Sequence, residues 1–185
     1  MVPKAKPQAE RGAAPPAARE PRIGHGYDLH RLEAVGPAGA GRPMILGGVK
    51  IPESPVGPVG HSDGDVLYHC VTDAVLGALG LPDIGQLFPD TDPRHDGRDS
   101  AEFLAEAVKR VREAGYRVGN LDVTVIAERP KLGPIKQQVR ENLAKLLGVE
   151  VARVNVKGKT HEKVDAVGEG RAIECHAVVL LAPVR

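Results

Sequence analysis

From Arg22 the chain alternates, with Ile23, His25, Tyr27 and Leu29 on one side and Gly24, Gly26, Asp28 and His30 on the other. That period of two predicts a strand whose second face is thin and polar. Residues 44–46 and 49–51 read as a short hairpin, and 52–60 as a loop. Ser62 is the expected N-cap of a helix, with Asp65 three residues on completing a capping-box-like pair. That helix should run to about Leu79 and stop near Gly80 and Pro82. Residues 83–97 read as a long polar loop. Phe103, Leu104, Ala107, Val108 and Val111 form one apolar face of a helix over 100–114, ended by Gly115. Over 118–127, Leu121, Val123 and Val125 alternate against Asp122, Thr124 and Ile126, predicting a strand. Pro134 opens a helix over 135–147 that Gly148 closes. Residues 151–159 and 173–181 read as two further strands. The order predicts a mixed α/β (α+β) fold, one mixed sheet with helices packed on one face.

Composition narrows the picture. A chain of 185 residues, 42% of them hydrophobic, is expected to hold one domain with a tail. With no Trp and 3% aromatics, its core should be Val, Leu, Ile and Ala. Lys and Arg number 25 against 24 Asp and Glu, which gives no sign of a nucleic-acid surface. No apolar run approaches the roughly 20 residues that span a bilayer. Cys70 and Cys175 are far apart and read as two buried thiols in a reducing compartment. Residues 1–21, rich in Pro, Ala and charge, are expected to be a disordered tail before a single catalytic domain over 22–185. The tail has no apolar signal-peptide core, carries Glu10 and Glu20, and lacks Ser. A cytoplasmic protein is expected.

Chemistry concentrates early in the chain. Asp28 and His30, two apart on a strand, lean to the same side. Gly26 beside them leaves room, and His69 on the following helix is a third donor. Asp65 or Asp73, each four residues from His69, stands where a carboxylate would orient its ring. Three N/O donors favour zinc or a similar ion with one open position, which implies chemistry rather than a structural site. The alternative is that Asp28 and His30 are surface strand residues and His69 a core histidine. His61 and Ser62, at the start of a helix, suit a phosphate near such an ion, although Ser62 serves equally as a cap.

The segments 24–30, 61–65 with His69, 83–85, 88–92, 119–122, 127–131 and 154–157, in this order, resemble the 2-C-methyl-D-erythritol 2,4-cyclodiphosphate synthase family over about residues 22–181. The resemblance implies a homotrimer around an axial cavity, with active sites between subunits. The implied reaction converts 4-diphosphocytidyl-2-C-methyl-D-erythritol 2-phosphate to the cyclic diphosphate with release of CMP. It implies a zinc-type ion at Asp28, His30 and His69 and a second divalent ion, magnesium or manganese, near Glu162. His61 and Thr160 would polarise and position the diphosphate, and Ser62 would contact the methylerythritol phosphate end. Asp83, Ile84 and Gly85 would grip the erythritol hydroxyls. Phe88, Pro89, Asp90, Thr91 and Asp92 would form a flexible loop near the 2-phosphate, and Leu29 would lie with Asp28 and His30 against substrate. Cytidine would occupy a pocket built by the adjacent subunit from Ala127, Glu128, Arg129, Pro130, Lys131, Leu132 and Gly133. Lys159, Thr160, His161 and Glu162 would complete it. No nucleic acid or membrane partner is implied. The competing readings are a metal-dependent phosphohydrolase and a non-catalytic module binding isoprenoid diphosphates.

Two departures stand out. A Thr-Thr-Glu-like turn reads Lys159-Thr160-His161-Glu162 here, and a Gly-Arg-Gly-Glu segment reads Gly168-Glu169-Gly170-Arg171, its two charges exchanged. An ion pair in the reverse sense is expected, and the family's arginine role is not carried onto Arg171.

Overall fold

A computed structural model describes residues 19–184 apart from His61. Among the described residues there are seven strands and five helices: β1 (Arg22–Ala34), β2 (Ile45–Leu46), β3 (Val49–Lys50), β4 (Val56–Pro58), α1 (Val66–Ala78) and α2 (Ile84–Leu87) come first. They are followed by α3 (Ser100–Glu113), β5 (Tyr116–Ile126), α4 (Lys136–Leu147), β6 (Val154–Lys159), α5 (Asp165–Gly168) and β7 (Ala172–Pro183). Five strands form one sheet in the order β4-β1-β7-β5-β6, and β2-β3 is a separate hairpin. The sheet is mixed: β5 and β6 run parallel, joined by α4 as a parallel pair requires, and every other pairing is antiparallel.

The longest burial is along α1, which lies across β1 and β7. Two glycines permit it. A Cβ on Gly24 would fall 1.9 Å from the Ala74 carbonyl oxygen, and one on Gly26 would fall 1.9 Å from that of Cys70. The helix backbone therefore sits directly on the strand at these two positions. Leu67, Val71 and Val75 of α1 join Leu104 of α3, Leu143 of α4, and Val123 and Val179 of the sheet in one core. Each such side chain contributes about 1.5–3 kcal/mol by its burial. The core is aliphatic, as the composition requires, and both cysteines are free and buried within it.

Several expectations are corrected. The apolar side of β1 is the outer one: Ile23 is 72% exposed and Tyr27 48%, whereas Gly24 and Gly26 face the helix. The expected loop over 52–60 contains β4, which extends the sheet by pairing with the end of β1. The expected loop over 83–97 contains α2 and a 3-10 turn, Pro93–His95. Residues Val151–Arg153 form a 3-10 turn, so the strand there starts only at Val154.

Ser62 does not cap α1. The cap is Asp65, whose Oδ1 accepts from the backbone N–H groups of Leu67 and Tyr68 and of Gly47, while Oδ2 accepts from Gly48. One fully buried carboxylate thus satisfies four donors and ties the β2–β3 turn to the first turn of the helix.

Candidate metal centre

Asp28 and His30 project from the helix-facing side of β1, and His69 stands one turn into α1. Their ligand atoms meet. Asp28 Oδ2 lies 3.0 Å from His30 Nε2 and 3.4 Å from His69 Nδ1, and the two ring nitrogens are 3.3 Å apart. These three form the one group of three or more His, Cys, Asp or Glu ligands found among the described residues.

The protons around this triangle decide what it wants. His30 Nδ1 is 2.9 Å from the Gly64 carbonyl oxygen, which can only accept, so the proton of a neutral ring sits on Nδ1. His30 Nε2 is then a bare lone pair. His69 Nε2 is 2.8 Å from Ser100 Oγ, and the Ser100 hydroxyl donates its own proton to Asp63 Oδ1 in a short contact. The serine oxygen therefore accepts from His69, whose proton sits on Nε2 and whose Nδ1 is bare. Asp28 Oδ1 accepts from the Leu29 N–H at 2.8 Å, but Oδ2 is buried with no hydrogen-bond donor. Three lone pairs converge in a partly buried space, an arrangement that calls for a cation.

Titration behaviour agrees. Burial would push the Asp28 carboxyl up, but the imidazoles of His30 and His69 beside it, which favour its charged form, outweigh this and hold the group well below the usual carboxylate range. Burial would lower His30, but its bond to Asp28 prevails and raises it. Below the raised His30 value, a proton and a cation compete for the same His30 lone pair.

A cavity of about 340 Å³ opens beside these ligands. Its walls include Ser62, Ile84, Gly85, Phe88 and Asp90, so four residues of the 83–85 and 88–92 segments border the cavity beside Asp28, His30 and His69. Asp83 caps α2 through the Gln86 N–H, and Asp73 accepts from the Ile84 N–H at 2.8 Å, fastening α2 to α1. Phe88 packs on Phe103 with ring centroids 4.6 Å apart. Pro89 and Thr91 are exposed, and Asp92 pairs with Arg94.

The expected orienting carboxylates are wrong. Asp65 is spent on four backbone donors and Asp73 on α2; Asp63, acting through Ser100, orients His69. Gly26 makes way for the helix and not for an ion. Ser62 Oγ accepts from Gly64 N–H and lies 3.1 Å from His69 Nε2, so it also steadies that ring. His61 lies outside the described residues. Ser100 and Asp63 went unrecognised as site residues, because hydroxyl and carboxylate roles arise only when the first turn of α3 meets the 62–65 turn.

Thr160 and Glu162 do not line this cavity. They sit on the turn after β6, where Thr160 Oγ1 donates to Glu162 Oε1 at 2.8 Å. Arg129, Pro130 and Lys131 line a separate hollow of about 430 Å³ with Ile51, Glu53 and Ile135. Ala127 is buried, Glu128 and Leu132 are half-buried, and Gly133 and Lys159 are exposed. The exchanged charges do pair, Arg171 Nε lying 2.8 Å from Glu169 Oε2.

Comparison with known proteins gives this geometry a context. The family model described as the YgbB family matches residues 21–182. A rice (Oryza sativa subsp. japonica) protein named 2-C-methyl-D-erythritol 2,4-cyclodiphosphate synthase, chloroplastic, is 56% identical over 179 residues, 94% of this chain and 78% of its own. A Trichlorobacter lovleyi protein named 2-C-methyl-D-erythritol 2,4-cyclodiphosphate synthase is 53% identical over 162 residues, 88% of this chain and 99% of that one. The solved structure of IspF from Plasmodium falciparum in a CDP complex superposes with a TM-score of 0.78 at 40% identity, covering 91% of this chain and 100% of that one. A match over almost the whole described chain, with identities above half in two curated relatives, shows that the chain belongs to the YgbB family, the family of the 2-C-methyl-D-erythritol 2,4-cyclodiphosphate synthases.

Proposed function

We propose that this chain converts 4-diphosphocytidyl-2-C-methyl-D-erythritol 2-phosphate to 2-C-methyl-D-erythritol 2,4-cyclodiphosphate and CMP. An oxygen of the substrate's 2-phosphate attacks the β-phosphorus, a new P–O bond closes the ring, and the bond to CMP breaks. No protein nucleophile is required. The work is to bring two anions together in the right geometry and to offset the charge that develops.

The convergence of three ligand atoms, Asp28 Oδ2, His30 Nε2 and His69 Nδ1, carries this reading. Two nitrogens and one oxygen suit zinc or a similar transition ion. Bound there with a position open to the cavity, such an ion supplies Lewis-acid polarisation of a phosphoryl oxygen. The chain's own contribution is to keep the ligands bare: Gly64 fixes one tautomer, and Asp63 through Ser100 fixes the other.

In this reading Ser62 and the 83–85 and 88–92 segments hold the erythritol end, His61 and Thr160 position the diphosphate, and Glu162 holds a second divalent ion, magnesium or manganese, together with substrate phosphates. One of the two Glu162 oxygens is engaged by Thr160, which orients the carboxylate. Cytidine binds in the hollow of residues 127–133, with the 159–162 turn beside it. The CDP complex of the Plasmodium falciparum relative supports a nucleoside-diphosphate ligand.

The separation of the Asp28 cavity from Arg129–Lys131 and from Glu162 within one chain supports active sites completed by a neighbouring subunit. The open sheet face supports self-association. Ile23, Tyr27, Leu29 and Val178 are all exposed there, a side-by-side apolar patch that a threefold assembly around an axial cavity would bury. Residues 22–185 act as the single catalytic domain, in the cytoplasm; all but the last three residues of the expected 1–21 tail lie outside the described residues. No helix among the described residues is long and apolar enough to cross a membrane.

The test is incubation of purified, zinc-loaded protein with the diphosphocytidyl substrate and Mg²⁺. Cyclic diphosphate and CMP in equal amounts support the assignment. Ring-open phosphates favour hydrolysis by metal-activated water, and tight substrate binding without turnover favours a binding module.

A further inference from the structure

Three non-glycine residues in four positions, Glu162, Lys163 and Asp165, adopt positive φ of 51°, 64° and 60°. Each costs on the order of 1–2 kcal/mol, and a segment so strained persists only where its surroundings over-determine it. The restraint centres on His161. Its Nδ1 is 2.8 Å from Asp165 Oδ2, and its Nε2 is 3.5 Å from Glu174 Oε1. Asp165 is itself anchored, its Oδ1 accepting from the Val167 and Gly168 N–H groups. Glu174 belongs to β7, on the open face of the sheet, yet is only 8% exposed because the turn covers it. The Tyr27 hydroxyl of β1 holds its other oxygen at 3.5 Å, and His176 Nε2 approaches to 3.8 Å.

Both nitrogens of the His161 imidazole thus face carboxylates of its own chain, a hydrogen bond at Nδ1 and a longer ion-pair contact at Nε2, although the family resemblance puts it among the substrate contacts. Between its flanking residues, Thr160 Oγ1 donates to Glu162 Oε1, so any rotation of the His161 backbone moves both.

We propose that Glu174 and Asp165 are positioning residues that act through His161 to lock the strained 160–165 turn and so aim Thr160 and Glu162. The proposal rests on the reading of those two residues given above. It assigns Glu174, a buried carboxylate on β7 opposite Leu29 and absent from the lining of the Asp28 cavity, to the reaction without contact to substrate, and it moves His161 from binding to positioning.

The test uses full-length His161→Ala, Glu174→Gln and the double variant, with zinc bound. CDP affinity is measured by calorimetry with and without Mn²⁺, and backbone hydrogen exchange is followed over 160–168. His161→Ala should raise exchange in this turn and weaken CDP binding in Mn²⁺ by about 10-fold, with zinc content and melting temperature nearly unchanged. Glu174→Gln should shift both readouts the same way by less. The double variant should resemble His161→Ala, since both remove one linkage. Unchanged exchange, unchanged Mn²⁺–CDP affinity, or strictly additive losses overturn the proposal. Glu162→Gln separates the two readings: if it leaves the Mn²⁺ effect on CDP intact, the second-ion assignment is wrong, and the exchange arm with the double variant still decides the lock.

Discussion

Ser100 Oγ stands 2.8 Å from His69 Nε2 while handing its own proton to Asp63. This relay sets whether the His69 nitrogen facing Asp28 carries a proton, and hence whether the triangle is a ligand set or a hydrogen-bonded cluster. Ser100→Ala removes the nearer acceptor and leaves only Ser62 Oγ, 3.1 Å away, to hold the tautomer. Zinc affinity should fall about 10- to 100-fold with the fold intact, as read by chelator competition and circular dichroism. Asp63→Asn should act in the same direction, because its amide oxygen is a weaker acceptor for the serine proton.

Gly26→Ala tests how the ligands are brought together. The new methyl would meet the Cys70 carbonyl at 1.9 Å, a backbone atom that cannot swing aside. Helix α1 must lift, and His69 lifts with it. The variant should lose about 1–3 kcal/mol of stability and bind zinc more weakly than the wild type. Urea unfolding with and without zinc checks both effects, and the zinc-dependent stabilisation should shrink.

Asp65→Ala separates structure from chemistry. It strands four backbone donors at the join of the hairpin and α1. The expected cost is about 3 kcal/mol, visible as a lower urea midpoint. Asp65→Asn, which keeps one acceptor oxygen, should cost less. In either variant the protein that stays folded should bind zinc normally, since the Asp65 carboxylate is taken up by backbone donors and only its main-chain carbonyl meets the His69 N–H.

Much of this was legible from residue pattern. Period two put Asp28 and His30 on one side of a strand, and the helical spacing of α3 and α4 was plain. The side of β1 that faces the core was not legible, because glycine carries no apolar signal, although its lack of a side chain is what admits α1. Strand β4, three residues with a glycine and a proline, reads locally as loop and exists only by pairing with β1. The Asp63–Ser100–His69 relay joins residues 37 and 31 positions apart. No spacing rule links them, since the contact depends on how α3 docks beside the turn before α1. The separation of Glu162 from the Asp28 cavity is likewise absent from the order of residues, because it depends on where the turn after β6 falls in the fold.

The metal-free protein has a pH signature. Asp28 titrates below its unfolded value, so its contribution is present above about pH 3.9 and is lost as pH falls through the depressed folded value. His30 titrates above its unfolded value, so its contribution is present below about pH 6.5 and is lost as pH rises through the raised folded value. Between these limits the pair is fully formed and stabilising. Zinc must displace the His30 proton, so its affinity should climb with pH through that titration and level off above it. Calorimetry in buffers of different ionisation enthalpy should find a proton released on zinc binding at the lower end, and none at the upper. Equal affinity and no proton release across the range would contradict the assignment of His30 as a ligand.

The most direct measurement is anomalous diffraction at the zinc edge from crystals of catalytically active, zinc-loaded protein. The account predicts one peak bonded to Asp28 Oδ2, His30 Nε2 and His69 Nδ1 at about 2.0–2.2 Å, with its fourth position facing the cavity bordered by Ile84 and Phe88. Full turnover in protein with no ion at those three atoms, or with the ion held elsewhere, would contradict it.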